Sequence, residues 1–349
     1  MKMFLLSLML VGLAAATEPE IKVEVFSDFQ CPYCAQFAKP VRELQTKGIE
    51  GVRTKVDFKN FPLSFHADSQ LAHQAAFAAG EQGKFWEMHD LLFANQAALK
   101  RDSLLDYARK LGLDMDRFVK DLDGSESKKR IEADKAEGQK LGVNGTPTFF
   151  VDGKEYSGTK SFDQLKELVA GEQLRKRAIA EVPDSLMSKG PANSPVTIEF
   201  FADLQSPVSR PAGAVLDQLM ARYPSKVRVQ FRNFPLAFHP QASLAHDAAM
   251  AAARQGHFWE VETYLLDHQD SLREQDLIAY AGKLGIDQTQ FAETIQQHRY
   301  APRVEADVMD GFKRGIRGSP VIFVNGRRID GVPSLEMLTE YVGAELGKK

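Results

Sequence analysis

The segment Phe26–Cys34 reads FSDFQCPYC, and it holds both of the cysteines in this chain of 349 residues. A second segment, Phe201–Ser209, reads FADLQSPVS and carries Ser206 and Ser209 at the two cysteine positions. The frame around the sulfur atoms is therefore repeated without the sulfur atoms. This pattern predicts two copies of one unit, and the second copy serves as an internal control for residues of the first.

The two copies match over most of their length. The sequence NFPL at Asn60–Leu63 recurs at Asn233–Leu236, and from there onward the copies are offset by 173 residues. At the same offset, Thr146–Pro147 corresponds to Ser319–Pro320. A period of this length is far longer than that of stacked-repeat proteins, so each copy is predicted to be a complete domain.

The spacing of apolar residues predicts the elements of the first copy. Alternation over Ile21–Phe26 predicts a strand that leads into the cysteine motif, and Phe37, Val41 and Leu44 share one face of a predicted helix after it. The other predicted elements are a strand at Val52–Phe58, several short helices between about residues 67 and 141, a strand at Thr148–Val151, a hairpin turn at Asp152–Gly153 and a helix at Phe162–Val169.

Signals at both ends of the first copy predict its boundaries. Residues 1–16 begin with a positive charge, continue with an apolar run and end with three alanines, which is typical of a secretory signal peptide cleaved after Ala16. An apolar anchor or a buried strand are the alternatives. A charged segment before the break at Gly190–Pro195 predicts a helical linker. The predicted domains are thus 17–172 and 191–349, joined by a linker at 173–190.

Composition excludes several classes of function. Hydrophobic residues make up 44% of the chain, charged residues make up 26%, and the net charge is −3. These values are typical of a soluble globular protein without general attraction to nucleic acid or anionic membranes. After the leader, no stretch is long and apolar enough to span a bilayer. Export would place the chain in the periplasm or outside the cell, where disulfides persist.

The spacing of Cys31 and Cys34 leaves three interpretations of the pair. A disulfide between them would close a very short loop and add little stability, which argues against an inert structural bridge. Zinc in structural sites usually takes four protein ligands, and the chain has no second cysteine pair. Thiol–disulfide exchange is therefore favoured over a metal site or a structural bridge, and we expect no cofactor and no metal.

Both copies resemble the DsbA-like branch of the thioredoxin fold, which includes DsbG-like exported proteins. The resemblance rests on the CPYC motif after a strand, on NFPL at Asn60–Leu63, and on the segment Gly145–Thr148 before a later strand. It implies an α/β architecture of two tandem thioredoxin-like folds, each with a mixed central sheet and a helical insertion before a cis-proline strand. It also implies disulfide exchange with the cysteines of other proteins, and a redox partner that recycles the pair.

Each residue of the CPYC motif has an expected role. Cys31, at the start of a helix, is the expected nucleophile, because the helix N-terminus stabilises a thiolate and lowers its pKa. Cys34 lies one turn into the helix and is expected to be more buried and to act as the resolving thiol. Pro32 suits the first helical turn. Tyr33 stands where the strongest oxidants of the family have histidine, so we expect a milder oxidant.

The resemblance also assigns a substrate-binding turn. Pro147 matches the cis-proline of the family, and Thr146 before it is expected to contact both the thiolate and an extended substrate. An ordinary trans proline is the alternative. In the second copy, Ser319 and Pro320 retain this turn beside a motif that cannot exchange disulfides. That copy is expected to bind substrate, to act as a spacer or to serve as scaffolding, and its serine motif faintly resembles that of kappa-class glutathione transferases.

Three further polar residues could have a functional role, but comparison with the second copy argues against it. Asp28 could shuttle protons near Cys31, and His66 and His73 could share a helix face as ligands. All three recur beside the serine motif, so structural roles are favoured. The sequence thus predicts an exported thiol–disulfide oxidoreductase. The alternative is a substrate-binding or chaperone protein whose cysteine pair is vestigial or holds a metal.

Overall fold

The computed structural model describes residues 19–348, so the predicted signal peptide lies outside the described residues. The chain divides into two compact units, of which the first ends at Leu174 and the second begins at Arg175. Within residues 19–348, no helix combines the length and the apolar character needed to cross a bilayer.

The first unit is built on a mixed sheet of four strands in the order β2-β1-β3-β4. Strands β1 (Ile21–Ser27) and β2 (Thr54–Asn60) are parallel, and β3 (Thr148–Val151) pairs antiparallel with both β1 and β4 (Lys154–Ser157). Its helices are α1 (Pro32–Lys47), α2 (Ser69–Gly80), α3 (Phe85–Ala94), α4 (Arg101–Lys110), α5 (Met115–Asp123), α6 (Ser125–Lys140) and α7 (Phe162–Glu181), of which the residues from Arg175 onward are counted with the second unit.

Packing of α1 on the sheet fixes the position of the cysteine motif. Val23 and Val25 of β1 belong to the same buried cluster as Phe37 and Val41 of α1. Because the apolar residues of α1 recur at helical spacing, one face of the helix is held against the strand from which it continues. The short segment between β1 and α1 therefore has a defined place at the edge of the core.

Most of the predicted elements of the first unit are confirmed. The strand Thr148–Val151 has the predicted bounds, and the strand predicted at Ile21–Phe26 is one residue longer. The second strand begins two residues later than predicted, because the Val52 N–H donates to the Ile49 carbonyl at 3.0 Å in a tight turn. The closing helix continues beyond its predicted end and reaches Glu181.

The second unit has five strands in the order β5-β7-β6-β8-β9. Four of them, β6 (Val196–Ala202), β7 (Val227–Asn233), β8 (Val321–Val324) and β9 (Arg327–Asp330), repeat the pairing of the first unit, and β5 (Ser188–Lys189) adds an antiparallel edge. Its helices are α8 (Ser209–Arg222), α9 (Ala242–Arg254), α10 (Phe258–Asp267), α11 (Glu274–Lys283), α12 (Gln288–Gln296), α13 (Ala301–Lys313) and α14 (Leu335–Gly347).

The division between the units differs from the predicted one. The sequence predicts a linker at residues 173–190, whereas the second unit already begins at Arg175. Val182 and Met187 are fully buried in the core of the second unit, and β5 pairs with its sheet. Ala178 also belongs to this core and Leu186 packs against it, so these apolar side chains fold most of the predicted linker into the second unit.

Candidate redox-active site

Cys31 is the N-cap residue of α1. Its backbone is extended (φ −76°, ψ 124°), and Pro32 follows at the start of the helix, where the missing N–H of proline costs no hydrogen bond. The Cys31 carbonyl accepts a helical hydrogen bond from the Ala35 N–H at 3.2 Å. The thiol therefore lies at the end of the helix where unpaired N–H groups carry partial positive charge.

Both cysteines are free thiols with very little exposed surface. Cys31 is 4% exposed and Cys34 is 1% exposed, so the order of burial is as expected but the difference is small. In its protonated form the Cys31 thiol donates to the Thr146 carbonyl oxygen at 3.4 Å, and the Asp28 N–H donates to Cys34 Sγ at 3.4 Å. These contacts hold the sulfur atoms between the end of β1 and the turn before β3.

The two thiols have pKa shifts of opposite sign. A hydrogen bond with the Cys34 side chain lowers the pKa of Cys31 from 9.0 to about 5, against the opposing effect of burial and with help from the Cys34 backbone N–H. Burial raises the pKa of Cys34 strongly, and its hydrogen bond with Cys31 raises it further. At neutral pH, Cys31 is therefore a thiolate while Cys34 keeps its proton.

A surface groove of about 470 Å³ brings most of the predicted substrate-binding residues together. Tyr33, which is 62% exposed, lines it together with Thr146 and Pro147. The Thr146–Pro147 peptide bond is cis. The Thr146 hydroxyl is buried and has no hydrogen-bond partner among the described residues. Pro32 is exposed beside Tyr33 but does not line the groove.

Asp28 occupies a structural position beneath the motif. Its fully buried carboxylate accepts hydrogen bonds from the Gln30 and Leu63 N–H groups, each at 2.7 Å, and from the Ser69 hydroxyl at 2.7 Å. His66 Nδ1 lies 2.9 Å from the same carboxylate. These four contacts tie the motif to the NFPL segment and to α2, which explains the residue without a role in proton transfer.

The corresponding carboxylate of the second unit makes the same kind of contacts. Asp203 is fully buried and accepts hydrogen bonds from the Gln205 N–H at 2.7 Å and the Leu236 N–H at 2.8 Å. His239 Nδ1 lies 2.7 Å from it. Because this arrangement persists beside a motif without sulfur, it supports the structural interpretation of the first carboxylate.

His66 and His73, for which structural roles are expected, each make a polar contact within the fold. His73 is fully buried, with Nδ1 2.8 Å from Asn60 Oδ1, and burial lowers its pKa to about 3. His246 of the second unit makes the same contact with Asn233 at 2.8 Å. In the part of the chain that the structure describes, no cluster of three or more His, Cys, Asp or Glu side chains is placed to hold a metal ion.

Gln96 is a residue of the site that the sequence interpretation missed. Its side-chain amide donates to the Phe29 carbonyl at 2.9 Å and to the Cys31 carbonyl at 2.8 Å. Gln269 makes the equivalent pair of hydrogen bonds in the second unit. The only signal for it in the sequence is a glutamine that recurs at the constant offset of 173 residues.

The serine site of the second unit differs from the cysteine site in its hydrogen bonds and in where its helix begins. The Ser319 hydroxyl accepts a hydrogen bond from the Asp203 N–H at 2.8 Å, whereas the corresponding N–H of the first unit donates to the Cys34 sulfur. The Ser209 hydroxyl is buried without a partner among the described residues. Helix α8 begins at Ser209, so Pro207 lies before the helix rather than in its first turn.

These features define the class of protein. Each unit has a mixed sheet with helices packed on it and a cis-proline turn, Thr146–Pro147 or Ser319–Pro320, and the first unit adds a pair of thiols at a helix N-terminus. This is the thioredoxin fold. The family model of the DSBA-like thioredoxin domain matches residues 22–170 and residues 197–343. The chain therefore belongs to the DsbA-like thioredoxin domain family and contains two such domains in tandem.

Curated relatives of the chain include much longer proteins. The Na(+)/H(+) antiporter NhaA 1 of Salinispora arenicola (strain CNS-205) is 41% identical over 165 residues, which are 46% of this chain and 25% of the relative. The Na(+)/H(+) antiporter NhaA of Herminiimonas arsenicoxydans is 35% identical over 142 residues, which are 41% of this chain and 22% of the relative. The chain thus spans about a quarter of the length of these relatives.

The solved structures that resemble the chain each match a stretch of it about as long as one domain. A thioredoxin-like oxidoreductase from Silicibacter pomeroyi DSS-3 is 29% identical, covers 45% of this chain and 88% of its own, and has a TM-score of 0.41. Oxidised BdbD from Bacillus subtilis is 22% identical, covers 46% of this chain and 92% of its own, and has a TM-score of 0.42.

Proposed function

We propose that this chain is an exported thiol–disulfide oxidoreductase that exchanges disulfides with protein substrates through Cys31 and Cys34. The observation that carries the proposal is a pair of free thiols at the N-terminus of α1, with Cys31 at the N-cap beside the cis Thr146–Pro147 turn. The opposite directions of the two pKa shifts agree with it. Exchange needs a thiolate that attacks the substrate and a second thiol that stays protonated until the mixed disulfide has formed. A lowered pKa at one sulfur and a raised pKa at its neighbour meet both requirements. The proposed export rests on the predicted signal peptide at Met1–Ala16.

The proposed reaction begins with the Cys31 thiolate. In the reducing direction it attacks one sulfur of a substrate disulfide, an S–S bond forms between Cys31 and the substrate, and the second substrate sulfur leaves and takes up a proton. Cys34 then gives up its proton and attacks Cys31 Sγ, which releases the first substrate sulfur. The substrate gains two electrons and two protons, and the Cys31–Cys34 pair becomes a disulfide. The reverse sequence oxidises a substrate dithiol.

The groove beside the motif is the proposed binding site for an extended substrate segment. The Thr146–Pro147 turn borders the groove, and the Thr146 carbonyl already contacts the Cys31 thiol. The buried Thr146 hydroxyl is a donor for the Cys31 thiolate and helps to lower its pKa. Pro32 and Tyr33 are exposed next to the nucleophile, where a bound substrate would contact them.

The second unit is proposed to bind substrate or to act as a spacer without exchanging disulfides. Ser206 and Ser209 supply hydroxyls where exchange requires sulfur, and Ser319 already accepts the Asp203 N–H. A redox partner that oxidises or reduces the Cys31–Cys34 pair sets the direction of the reaction, and the proposal requires one.

Trapping of a mixed disulfide tests the proposal. The Cys34→Ala variant of the full chain is incubated with a peptide that contains one disulfide, and the products are analysed by mass spectrometry under non-reducing conditions. We expect a covalent adduct at Cys31, because the resolving thiol is missing. The Cys31→Ala variant is the matched control and should form no adduct. The alternative binding or chaperone function would be favoured by a different result. In that case neither variant forms an adduct, and both protect an unfolded protein from aggregation as well as the unmodified chain does.

A further inference from the structure

The outer edge of the sheet is built differently in the two units. In the second unit, β5 pairs with β7, with Ser188 beside Gln230 and Lys189 beside Val229. The 3-10 turn Asp184–Met187, which directly precedes β5, contacts β7, α9 and α10. Residues 182–189, called the edge segment below, therefore cover the outer edge of this sheet.

The first unit has a groove at the corresponding place. Strand β2 is an edge strand, and among residues 19–348 no strand pairs with its outer side. A groove of about 440 Å³ lies there, bounded by β2, α2, α3 and Arg130 of α6. At the offset of 173 residues, these elements correspond to β7, α9, α10 and α13. The groove thus lies where the edge segment lies in the second unit.

Residues that line the groove are more exposed than their counterparts under the edge segment. Phe58 is half-buried, whereas Phe231 of the second unit is fully buried. The side chain of Arg130 is 55% exposed, whereas that of Arg303 is 5% exposed. The groove therefore has an uncovered aromatic side chain in its wall and an uncovered guanidinium at its rim.

Contacts of the edge segment indicate which chemistry such a groove accepts. The Asp184 carboxylate accepts hydrogen bonds from Arg303 at 2.6 Å and from Arg232 at 3.1 Å. Met187 is fully buried, and its sulfur lies 3.8 Å from Asn233 Nδ2. The edge segment thus has an acidic residue held by two arginines and, three positions later, an apolar residue packed in the core.

The groove of the first unit presents the same set of groups. Lys59, Asn60 and Arg130 stand at the positions of the two arginines and the asparagine that hold the edge segment. Lys59 already pairs with Glu137 at 2.7 Å. Arg130 contacts Asp134 through Nε at 3.1 Å and is otherwise the more exposed cation, so it is the group that a carboxylate from outside would meet.

We propose that this groove binds an extended segment of a partner protein, in which an acidic residue precedes an apolar residue by three positions. The bound segment adds a short strand to the outer edge of β2, the acidic residue pairs with Arg130, and the apolar residue enters the groove beside Asn60. This surface is separate from the Cys31 site, so the proposal does not depend on thiol exchange. It gives the first unit a docking site for a protein that need not be a substrate.

A peptide copied from the chain itself tests the proposal. The ten-residue peptide EVPDSLMSKG, identical to residues 181–190, carries a fluorescent label. The protein with both units is added stepwise, and the fluorescence anisotropy of the peptide reports binding. We expect saturable binding, and roughly tenfold weaker binding to the Arg130→Ala variant, because a charge-assisted hydrogen bond is lost. A peptide with asparagine at the acidic position should lose a similar factor, and the two changes together should cost little more than either alone.

Two controls separate docking from other effects. The Arg101→Ala variant removes an exposed arginine that pairs with Asp123 and does not line the groove, and it should bind the peptide as the unmodified protein does. Disulfide exchange and thermal unfolding, measured on both variants, report whether the fold is intact. No saturable binding would overturn the proposal. Binding that is insensitive to Arg130→Ala would also overturn it.

Discussion

The cysteine site and the serine site share a frame but differ at the first turn of the helix. Buried Asp28 and Asp203 make equivalent hydrogen bonds, and so do Gln96 and Gln269. In contrast, α1 begins directly after Cys31, whereas α8 begins only at the position equivalent to Cys34. The frame is therefore stable without sulfur, and the feature specific to the cysteine site is a helix N-terminus placed under the nucleophile.

The turn before the cis proline differs in a related way. In the cysteine site, the Thr146 hydroxyl has no partner among the described residues, and the sulfur of Cys34 accepts the Asp28 N–H. In the serine site, the Ser319 hydroxyl accepts the equivalent N–H. Loss of the thiols is thus accompanied by a rearrangement that satisfies the backbone, and the second site is not a cysteine site with two atoms exchanged.

The largest expected effect comes from removal of the nucleophile. Cys31→Ala should lower disulfide exchange with a peptide substrate to the background rate, because no other thiolate is placed at a helix N-terminus in the described chain. Ser206→Ala, the matched change in the second unit, should leave the rate unchanged. Steady-state exchange assays on both variants make the comparison. A clear loss of activity in the serine variant would show that the second unit takes part in the chemistry.

Transfer of the thiols to the second unit sharpens the comparison. In a chain with Cys31→Ser and Cys34→Ser, the double change Ser206→Cys and Ser209→Cys should give a thiol that reacts with iodoacetamide at least about tenfold more slowly at pH 7 than Cys31 does. The reason is that the first helical turn is missing there. Alkylation as fast as that of the native site would mean that the surrounding frame activates the thiol without the first helical turn.

A close contact common to both units should give similar losses of stability. A Cβ atom added at Gly138 would lie 2.9 Å from the rings of Phe26 and Phe61, and one added at Gly311 would lie 2.6 Å from the ring of Phe234. Gly138→Ala and Gly311→Ala should therefore each lower the free energy of unfolding of their unit by about 1–3 kcal/mol, the usual cost of overpacking. Urea unfolding curves measure the loss.

A third glycine provides the control for this prediction. Gly343 lies in α14 with no atom within 4 Å of an added Cβ. Gly343→Ala should be neutral or stabilise its unit by about 0.5–1 kcal/mol, because alanine favours a helix over glycine. Equal destabilisation by all three changes would contradict the packing explanation.

The smallest expected effect concerns Tyr33. Tyr33→His places a group that can carry positive charge beside the Cys31 thiolate, which stabilises the reduced form. The reduction potential should rise by a few tens of millivolts, since about 30 mV corresponds to 1.4 kcal/mol for a two-electron couple. Equilibration with glutathione gives the value, and Val208→His in the second unit is the control that should leave it unchanged. A lower potential would contradict this account of residue 33.

Local patterns in the sequence were enough to predict much of the fold and of the site. Alternation at Ile21–Phe26 and helical spacing at Phe37, Val41 and Leu44 identified β1 and α1, because both patterns reflect burial against one core. The thiols and the Thr146–Pro147 turn belong to short motifs, and the structure brings them into contact. These features are encoded by neighbouring residues.

Features that depend on distant partners could not be predicted in this way. Strand β5 and the buried Met187 follow a charged segment, and only the pairing with β7 shows that they belong to the second unit. Gln96 lies more than sixty residues from the carbonyl groups to which it donates. The rearrangement at Ser319 depends on a backbone N–H more than a hundred residues away.

The pH dependence of Cys31 alkylation tests the central claim most directly. The reduced protein is treated with iodoacetamide at a series of pH values, and mass spectrometry assigns the modified residue. Because a thiolate reacts and a thiol does not, the rate at Cys31 should rise with pH through a midpoint near 5 and remain level up to pH 8, with Cys34 unmodified. A midpoint near 9, or reaction at Cys34 before Cys31, would contradict the proposed division of roles between the two thiols.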